Sequence, residues 1–351
     1  MSEAGEVLVT GAAGFLGAHV VRELLARPPH EVPRVVALDD LSGGFEDNLP
    51  ADAGDRLRFV RASVTDPEAL RRVFPEHRFD RVYHLAAYAA EGLSHFIRRF
   101  NYVNNVVGSV NLLNESVNAG VRTFVFASSI AVYGSGGGRG PFDERTPPAP
   151  EDPYGVAKYA VELDLAAARE MFGIDTVVFR PHNVYGEFQH TGDRYRNVVG
   201  IFMNQILRGE PLTVFGDGSQ RRAFTYVRDV APVVARCDAV PAAAGGVFNV
   251  GAGRAHTVNE LADAVRRAMG VPGHPVRHLE ARNEVHTAVS DHARAQEVFA
   301  DVLPAETPLE EGLARMAAWV RSVGPRDPTR FSGIEVTRNL PPSWAAVAGA
   351  T

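Results

Sequence analysis

The residues best suited to chemistry are Tyr154 and Lys158, four apart in the stretch Asp152-Pro153-Tyr154-Gly155-Val156-Ala157-Lys158. Residues at i and i+4 share one face of a helix. An ammonium is a compact point charge that can sit beside a phenol and favour its ionised form, whereas a guanidinium needs room for a planar fork. Lys158 is the only lysine among 36 basic residues; every other one is arginine. The pair points to proton transfer by a phenol whose pKa the ammonium lowers. A leftover surface lysine paired with an acid is the plain alternative, and the motifs below weigh against it.

The elements that must position this pair can be read outward from it. Asp152 suits an N-cap and Pro153 the first helical position, so a helix is predicted from there to a stop at Gly173. Near the N-terminus, the apolar run Val7-Leu8-Val9-Thr10 leads into Gly11-Ala12-Ala13-Gly14-Phe15-Leu16-Gly17 and then an amphipathic stretch. Strand, glycine turn and helix in that order offer free N–H groups to a pyrophosphate. A second strand, 34–38, ends in Asp39, where an acid accepts from an adenosine ribose and repels a 2′-phosphate. Asp40 follows and no arginine is placed to welcome that phosphate, so NAD is expected rather than NADP.

Further strands are predicted at 57–60, 81–85, 123–127, 174–179 and 247–250, with helices near 67–74, 96–118, 200–207, 227–234, 258–269, 293–299 and 309–320. Alternation of this kind predicts a Rossmann-type α/β fold, a doubly wound parallel sheet with a smaller C-terminal substrate-binding lobe. Residues 1–179 with 224–252 would form the NAD-binding unit, 180–223 with 253–324 the lobe, and 325–351 an irregular tail. Ligands in such sheets bind off the carboxyl ends of the strands, where Leu85-Ala86-Ala87 and Ser128-Ser129 fall.

Composition narrows the function classes. A hydrophobic share of 45% and a charged share of 22% are ordinary for a globular chain. Net charge −6 supplies no basic field, which argues against nucleic acid or an anionic membrane as partner. With Cys237 as the only cysteine, no intramolecular disulfide can form, and with no signal pattern or long apolar run the expected location is cytoplasmic. Nothing in the residue pattern suggests a metal site.

Taken together, the motifs resemble the extended short-chain dehydrogenase/reductase family, in particular its NAD-dependent nucleotide-sugar epimerases, over roughly residues 7–303. The resemblance rests on the glycine turn, His84-Leu85-Ala86-Ala87, Asn105-Val106, Ser128-Ser129 before Val132-Tyr133-Gly134, Tyr154 with Lys158, Arg180-Pro181-His182-Asn183-Val184-Tyr185-Gly186, and Arg222 ahead of Tyr226-Val227-Arg228-Asp229. It implies Ser129, Tyr154 and Lys158 as catalytic residues. It implies Gly11, Gly14, Phe15, Leu16, Gly17, Asp39, Asp40, Ser42, Ser63, Val64, Leu85, Ala86, Ala87, Asn105, Ser128 and Pro181 along NAD, with Tyr154 and Lys158 reaching it too. It implies Asn183, Arg194, Arg196, Asn197, Arg222 and Arg282 along a UDP-sugar, with Ser129 and Tyr154. Two positions depart from the family: Ser63 stands where an Asp often reaches the adenine, and Ala89 where some members carry a lysine.

The implied reaction has Tyr154 take the proton of a 4-hydroxyl as C4 gives hydride to NAD, after which the 4-keto sugar turns its other face and is reduced again. Between Ser129 and Val132, 4,6-dehydratases carry an Asp-Glu pair and uronate decarboxylases a Glu in second place. Here stand Ile130 and Ala131, which cannot move a proton. Epimerisation or a simple 4-keto reduction is left, with a non-catalytic NAD-binding regulator as the rival from another class.

Three finer expectations follow. Arg194 or Arg196 pointing at C6 of the sugar would favour UDP-glucuronate and UDP-galacturonate over UDP-glucose and UDP-galactose, unless those arginines pair with Asp193, Glu187 or phosphate. Two long helices on one sheet face predict a homodimer, unless their outer faces are simply solvated. Gly136-Gly137-Gly138 reads either as a lid beside Ser129 or as a solvated loop.

Overall fold

The structure is a computed structural model that describes residues 4–135, 140–281, 287–329, 331–342 and 344. Arg282 and the Gly136-Gly137-Gly138 run lie outside the described residues.

Seven parallel strands form the central sheet. β1 (Glu6–Thr10), β2 (Val35–Asp39), β3 (Leu57–Arg61), β4 (Phe79–His84), β5 (Thr123–Ala127), β6 (Asp175–Pro181) and the strand Val247–Val250 lie in the order last-β6-β5-β4-β1-β2-β3. The order reverses between β1 and β4, which opens a crevice at their carboxyl ends. Val7, Leu8 and Val9 are fully buried, as a strand covered on both faces requires. One core fills the face carrying α1 (Phe15–Leu25), and another the face carrying α2 (Pro67–Val73) and α6 (Pro153–Phe172). A third core, built on Phe202, Leu261 and Met316, belongs to the helices Val198–Leu207, Val258–Ala268 and Leu309–Val323.

α6 forms as its sequence demands. The Asp152 carboxylate accepts from Gly155 N at 2.9 Å, Pro153 takes the first turn, and Gly173 ends the helix at φ 70°. Such a cap is worth about 1 kcal/mol. Gly155 has a packing role as well, because a Cβ there would stand 2.5 Å from the Ala131 carbonyl oxygen. Any side chain at 155 would push α6 off the turn that carries Ser129.

The helix expected over 96–118 is divided. After a short α3 (Glu91–Ser94), α4 (Arg98–Tyr102) widens into a π-helical turn, Val103–Val107, before α5 (Gly108–Asn118). The widened turn places Asn105 so that its amide both accepts from Tyr88 N (2.8 Å) and donates to Tyr88 O (3.1 Å). Side-chain demand at one position thus overrides helical periodicity, a common cause of π turns at functional sites.

Among the described residues past Pro325 there is no further long helix, yet this tail is not detached. Phe331, Ile334, Leu340 and Trp344 pack with Ala90, Leu93 and Ile97 into a separate apolar cluster.

Candidate active site

The glycine turn shows why it must be glycine. Gly11 has φ +68°, and a Cβ on it would lie 2.7 Å from Ala86 N. At Gly17 a Cβ would lie 2.0 Å from Gly11 O, so α1 could not approach the turn. α1 begins at Gly14 with no side-chain cap and no acid in its first turn, leaving its amide donors directed at the crevice. Phe15 and Leu16 open that helix. Asp39 is buried at the end of β2; its two oxygens accept from Ala13 N (3.0 Å) and Leu41 N (2.8 Å), and burial raises its pKa. Asp40 accepts from Ser42 N at 2.9 Å, ordering the next turn. Leu85 and Ala86 are tied to Thr10 by their amides, which brings the ends of β1 and β4 together with Ala87 following. Ser63 interacts with Thr65 at 3.0 Å, and Val64 is buried against Gly108. An uncapped helix end, close backbone approach and a buried acid one strand away fit a dinucleotide with a free ribose.

Tyr154, Ser129 and Lys158 do come together. Tyr154 is buried on the first turn of α6, and its amide donates to Ser94 Oγ at 3.2 Å. Its phenol pKa is raised, first by burial and then by the field of Glu91, while the Ser129 hydroxyl and the Arg196 charge pull it down. Lys158 Nζ donates to Ala127 O at 2.7 Å and lies 4.7 Å from the Phe126 ring centre and 5.7 Å from that of Tyr154. Burial lowers its pKa to about 7, opposed by Glu162. Burial, not Lys158, decides the phenol pKa, so the lowering expected from the sequence is not seen. The ammonium is held by a backbone carbonyl, and burial dominates the phenol.

Beneath the pair runs a buried polar network that motif reading did not assign. Glu162, one turn beyond Lys158, accepts from Arg180 at 3.0 and 2.5 Å and from Ser128 Oγ. Arg180 continues to Tyr133 OH (2.7 Å), which donates to Asn249 (2.8 Å). His84 bridges Thr10 Oγ1 (2.7 Å) and Ser109 Oγ (2.8 Å), and burial, reinforced by the Lys158 charge, lowers its pKa to about 3. The i, i+4, i+8 series Tyr154, Lys158, Glu162 is the signal that could have found the first of these.

On the substrate side the placements are mixed. Pro181 ends β6, and Asn183 follows, exposed, with φ +37°. Arg222 lies on the strand Arg221–Ala223, and its charge reaches the buried His182. Asn197 caps the helix Val198–Leu207 by accepting from Val199 N (3.0 Å), and it also donates to Val184 O. Its amide thus braces the start of that helix against Val184. Asn105 likewise holds Tyr88 and Asn101. Arg194 is exposed, whereas Arg196 forms an ion pair with buried Asp193, Nε to Oδ2 at 2.9 Å, and lies 4.5 Å above the Tyr88 ring. Glu91, Ser94 and Tyr88 are the site residues sequence reading missed; no motif marks them, and chain folding brings α3, with Glu91 and Ser94, to Tyr154 and Tyr88 to Arg196.

Comparison with known proteins agrees with this geometry. A sequence model described as the NAD dependent epimerase/dehydratase family matches residues 7–251. A UDP-glucose 4-epimerase of Mycolicibacterium smegmatis is 36% identical over 317 residues, 90% of this chain and 98% of that one. A UDP-glucose 4-epimerase of Thermotoga maritima, solved with UDP-glucose, superposes with a TM-score of 0.81 at 34% identity, covering 91% of this chain and 99% of that one. A Thermus thermophilus UDP-glucose 4-epimerase, solved with NAD, does so with a TM-score of 0.79 at 32% identity, covering 90% and 99%. The chain belongs to the NAD dependent epimerase/dehydratase family, and its cofactor is NAD.

Proposed function

We propose that the protein is a 4-epimerase of a UDP-hexose, with UDP-glucose and UDP-galactose as the interconverted pair. The observation that carries this reading is the meeting of Tyr154 and Ser129, backed by Lys158, beside a turn whose Ile130 and Ala131 offer no acid or base. Ser129 holds the reacting oxygen and Tyr154 takes its proton, returning it once the 4-keto sugar has presented its other face. NAD bound along the Gly11–Gly17 turn would supply the hydride acceptor and donor for C4, and its nicotinamide would carry positive charge. A positive charge there would oppose the burial that raises the Tyr154 pKa. Of the two carboxylates whose field reaches Tyr154, Asp152 is engaged as the cap of α6, so Glu91 alone does not supply the acid–base pair that loss of water from C5 and C6 needs.

A 6-carboxylate was the finer expectation, resting on a guanidinium open toward C6. Arg196 already has Asp193 as partner, and Glu91 adds negative field near the reacting oxygen. This charge balance supports a neutral CH2OH. The relatives' names point the same way. The test is to incubate the NAD-loaded enzyme with UDP-glucose and with UDP-glucuronate and compare kcat/KM for the C4 epimer. Higher kcat/KM for UDP-glucuronate would reverse the choice of sugar. No epimer from any UDP-sugar, with NAD still bound, would favour a regulator.

The same reading includes a cytoplasmic homodimer. Val107, Val156 and Leu163 are large apolar side chains left exposed on the π turn and α6, and Val156 and Leu163 are seven apart on one helix face. A helical interface between two copies would cover them.

A further inference from the structure

We propose that the C-terminal tail, through its described residues between 326 and 344, is a strap in which Phe331 and Trp344 brace Tyr88 and Tyr195 and so fix Arg196 across the cleft, over Tyr88 and against Gly43. This assignment rests on the UDP-sugar reading above. Two relatives matched over 98% and 99% of their own length cover 90% and 91% of this chain, so about a tenth of it falls outside those matches.

The tail is fastened at both ends of its path. It leaves the substrate lobe at Arg326, whose amide donates to Asn204 Oδ1 (2.9 Å) while Asn204 Nδ2 returns a bond to Arg326 O (2.9 Å). Thr329 N then donates to Gly192 O at 2.8 Å, one residue before Asp193. Crossing to the NAD-binding side, Glu335 N and Val336 N both donate to Phe96 O, and the Glu335 carboxylate accepts from Arg99 N (2.7 Å) and Phe100 N (2.8 Å). A disordered extension would not satisfy its backbone groups on two separate elements.

Between those anchors and just beyond them, the aromatic contacts converge on one cation. Phe331 lies 5.6 Å from Tyr88, centre to centre, and Trp344 lies 5.3 Å from Tyr195. Trp344 is buried, although it stands only seven residues from the end of the chain. Tyr88 carries the Arg196 guanidinium on its face, and Tyr195 is the residue before Arg196. Trp344 packs on Leu93 of α3, and the next residue, Ser94, accepts from Tyr154 N at 3.2 Å, which sets the stack beside the reacting residue. Rings and cation thus stack into a single wall beside the reacting residue, made partly from the tail.

Steady-state epimerisation of UDP-glucose by the full-length, NAD-loaded enzyme tests this. Phe331→Ala combined with Trp344→Ala should raise KM about tenfold with kcat within about twofold, the size expected for losing two aromatic contacts. NAD content should be unchanged, and Phe331→Tyr with Trp344→Phe should restore wild-type KM. In an Arg196→Ala background the tail substitutions should add nothing further, because they act through Arg196. If the doubly truncated variant misfolds, Trp344→Ala alone serves, since its ring lies outside the three main cores. A fall in kcat with loss of NAD, or full additivity with Arg196→Ala, overturns the strap and leaves the epimerase reading intact. A wild-type enzyme that epimerises no UDP-sugar overturns that reading, and the strap with it.

Discussion

Lys158→Met should inactivate the enzyme and make it more stable, with a gain that depends on pH. Lys158 is 3% exposed, and its pKa falls from 10.5 to about 7 on burial. With each tenfold change in a protonation equilibrium worth about 1.4 kcal/mol, a protonated Lys158 costs the fold up to about 5 kcal/mol. The Ala127 carbonyl and the Phe126 ring recover part of this. The sign follows from proton counts. Between pH 7 and 10.5 the unfolded chain holds a proton the folded chain lacks, so wild-type stability rises with pH across that window. Below pH 7 the penalty is fully present; above 10.5 it is gone. Methionine fills similar space without charge, so its advantage should be greatest at pH 6 and shrink toward pH 10. For a chain of this size even 2 kcal/mol moves Tm by only about 2–4 °C. Paired thermal melts of both proteins at pH 6, 8 and 10, with NAD removed, measure it. A lower Tm for the variant at pH 6, or the same difference at pH 6 and pH 10, would refute the assignment of Lys158 as a buried, costly cation.

The other expectations concern the pair's neighbours. Tyr154→Phe should lower kcat at least a hundredfold while leaving NAD bound, and the wild-type pH–rate profile should show an ascending limb that this phenol controls; near-normal turnover by the Phe variant would remove Tyr154 as the base. Glu162→Gln leaves Arg180 buried without its carboxylate and should cost about 3 kcal/mol in denaturant melts, whereas a loss below about 0.5 kcal/mol would mean Arg180 finds another partner. Leu163→Glu places a charge in the exposed apolar stripe of α6 and should give a monomer by light scattering at micromolar concentration, with fold retained by circular dichroism.

Much of this site was legible because backbone demands are written locally. Asp152, Pro153 and Gly173 mark the two ends of α6 in residue types alone, and the structure places the helix between them. Gly11 and Gly17 were legible for the same reason: one needs a positive φ and both need the absence of a Cβ. What could not be read is what side chains do after chain crossings. Asn105 falls in a plain helical pattern, yet its amide clasps Tyr88 across 17 residues of chain and opens a π turn. The arginines of 194–196 carried a real ambiguity. Charge pattern alone allowed Arg196 either an acid of its own segment or a ligand, and the buried Asp193 three residues earlier takes it.

The tail exposes the deeper reason for such limits. Its polar, proline-containing sequence has no periodicity to announce structure, and low periodicity is ordinarily a sign of disorder. Order comes instead from partners that the tail does not encode: Phe96 and the first amides of α4 meet Glu335 and Val336, and an apolar patch on Ala90, Leu93 and Ile97 receives Trp344. Those patch residues look like ordinary helix and loop positions until a covering segment is supplied. The same is true of catalytic environment. Whether the Tyr154 phenol ionises depends on Glu91, Ser129 and Arg196 together, three residues from three separate segments whose fields oppose one another. A motif names the reacting group, but the balance of burial and charge that sets its pKa is a property of the assembled cleft.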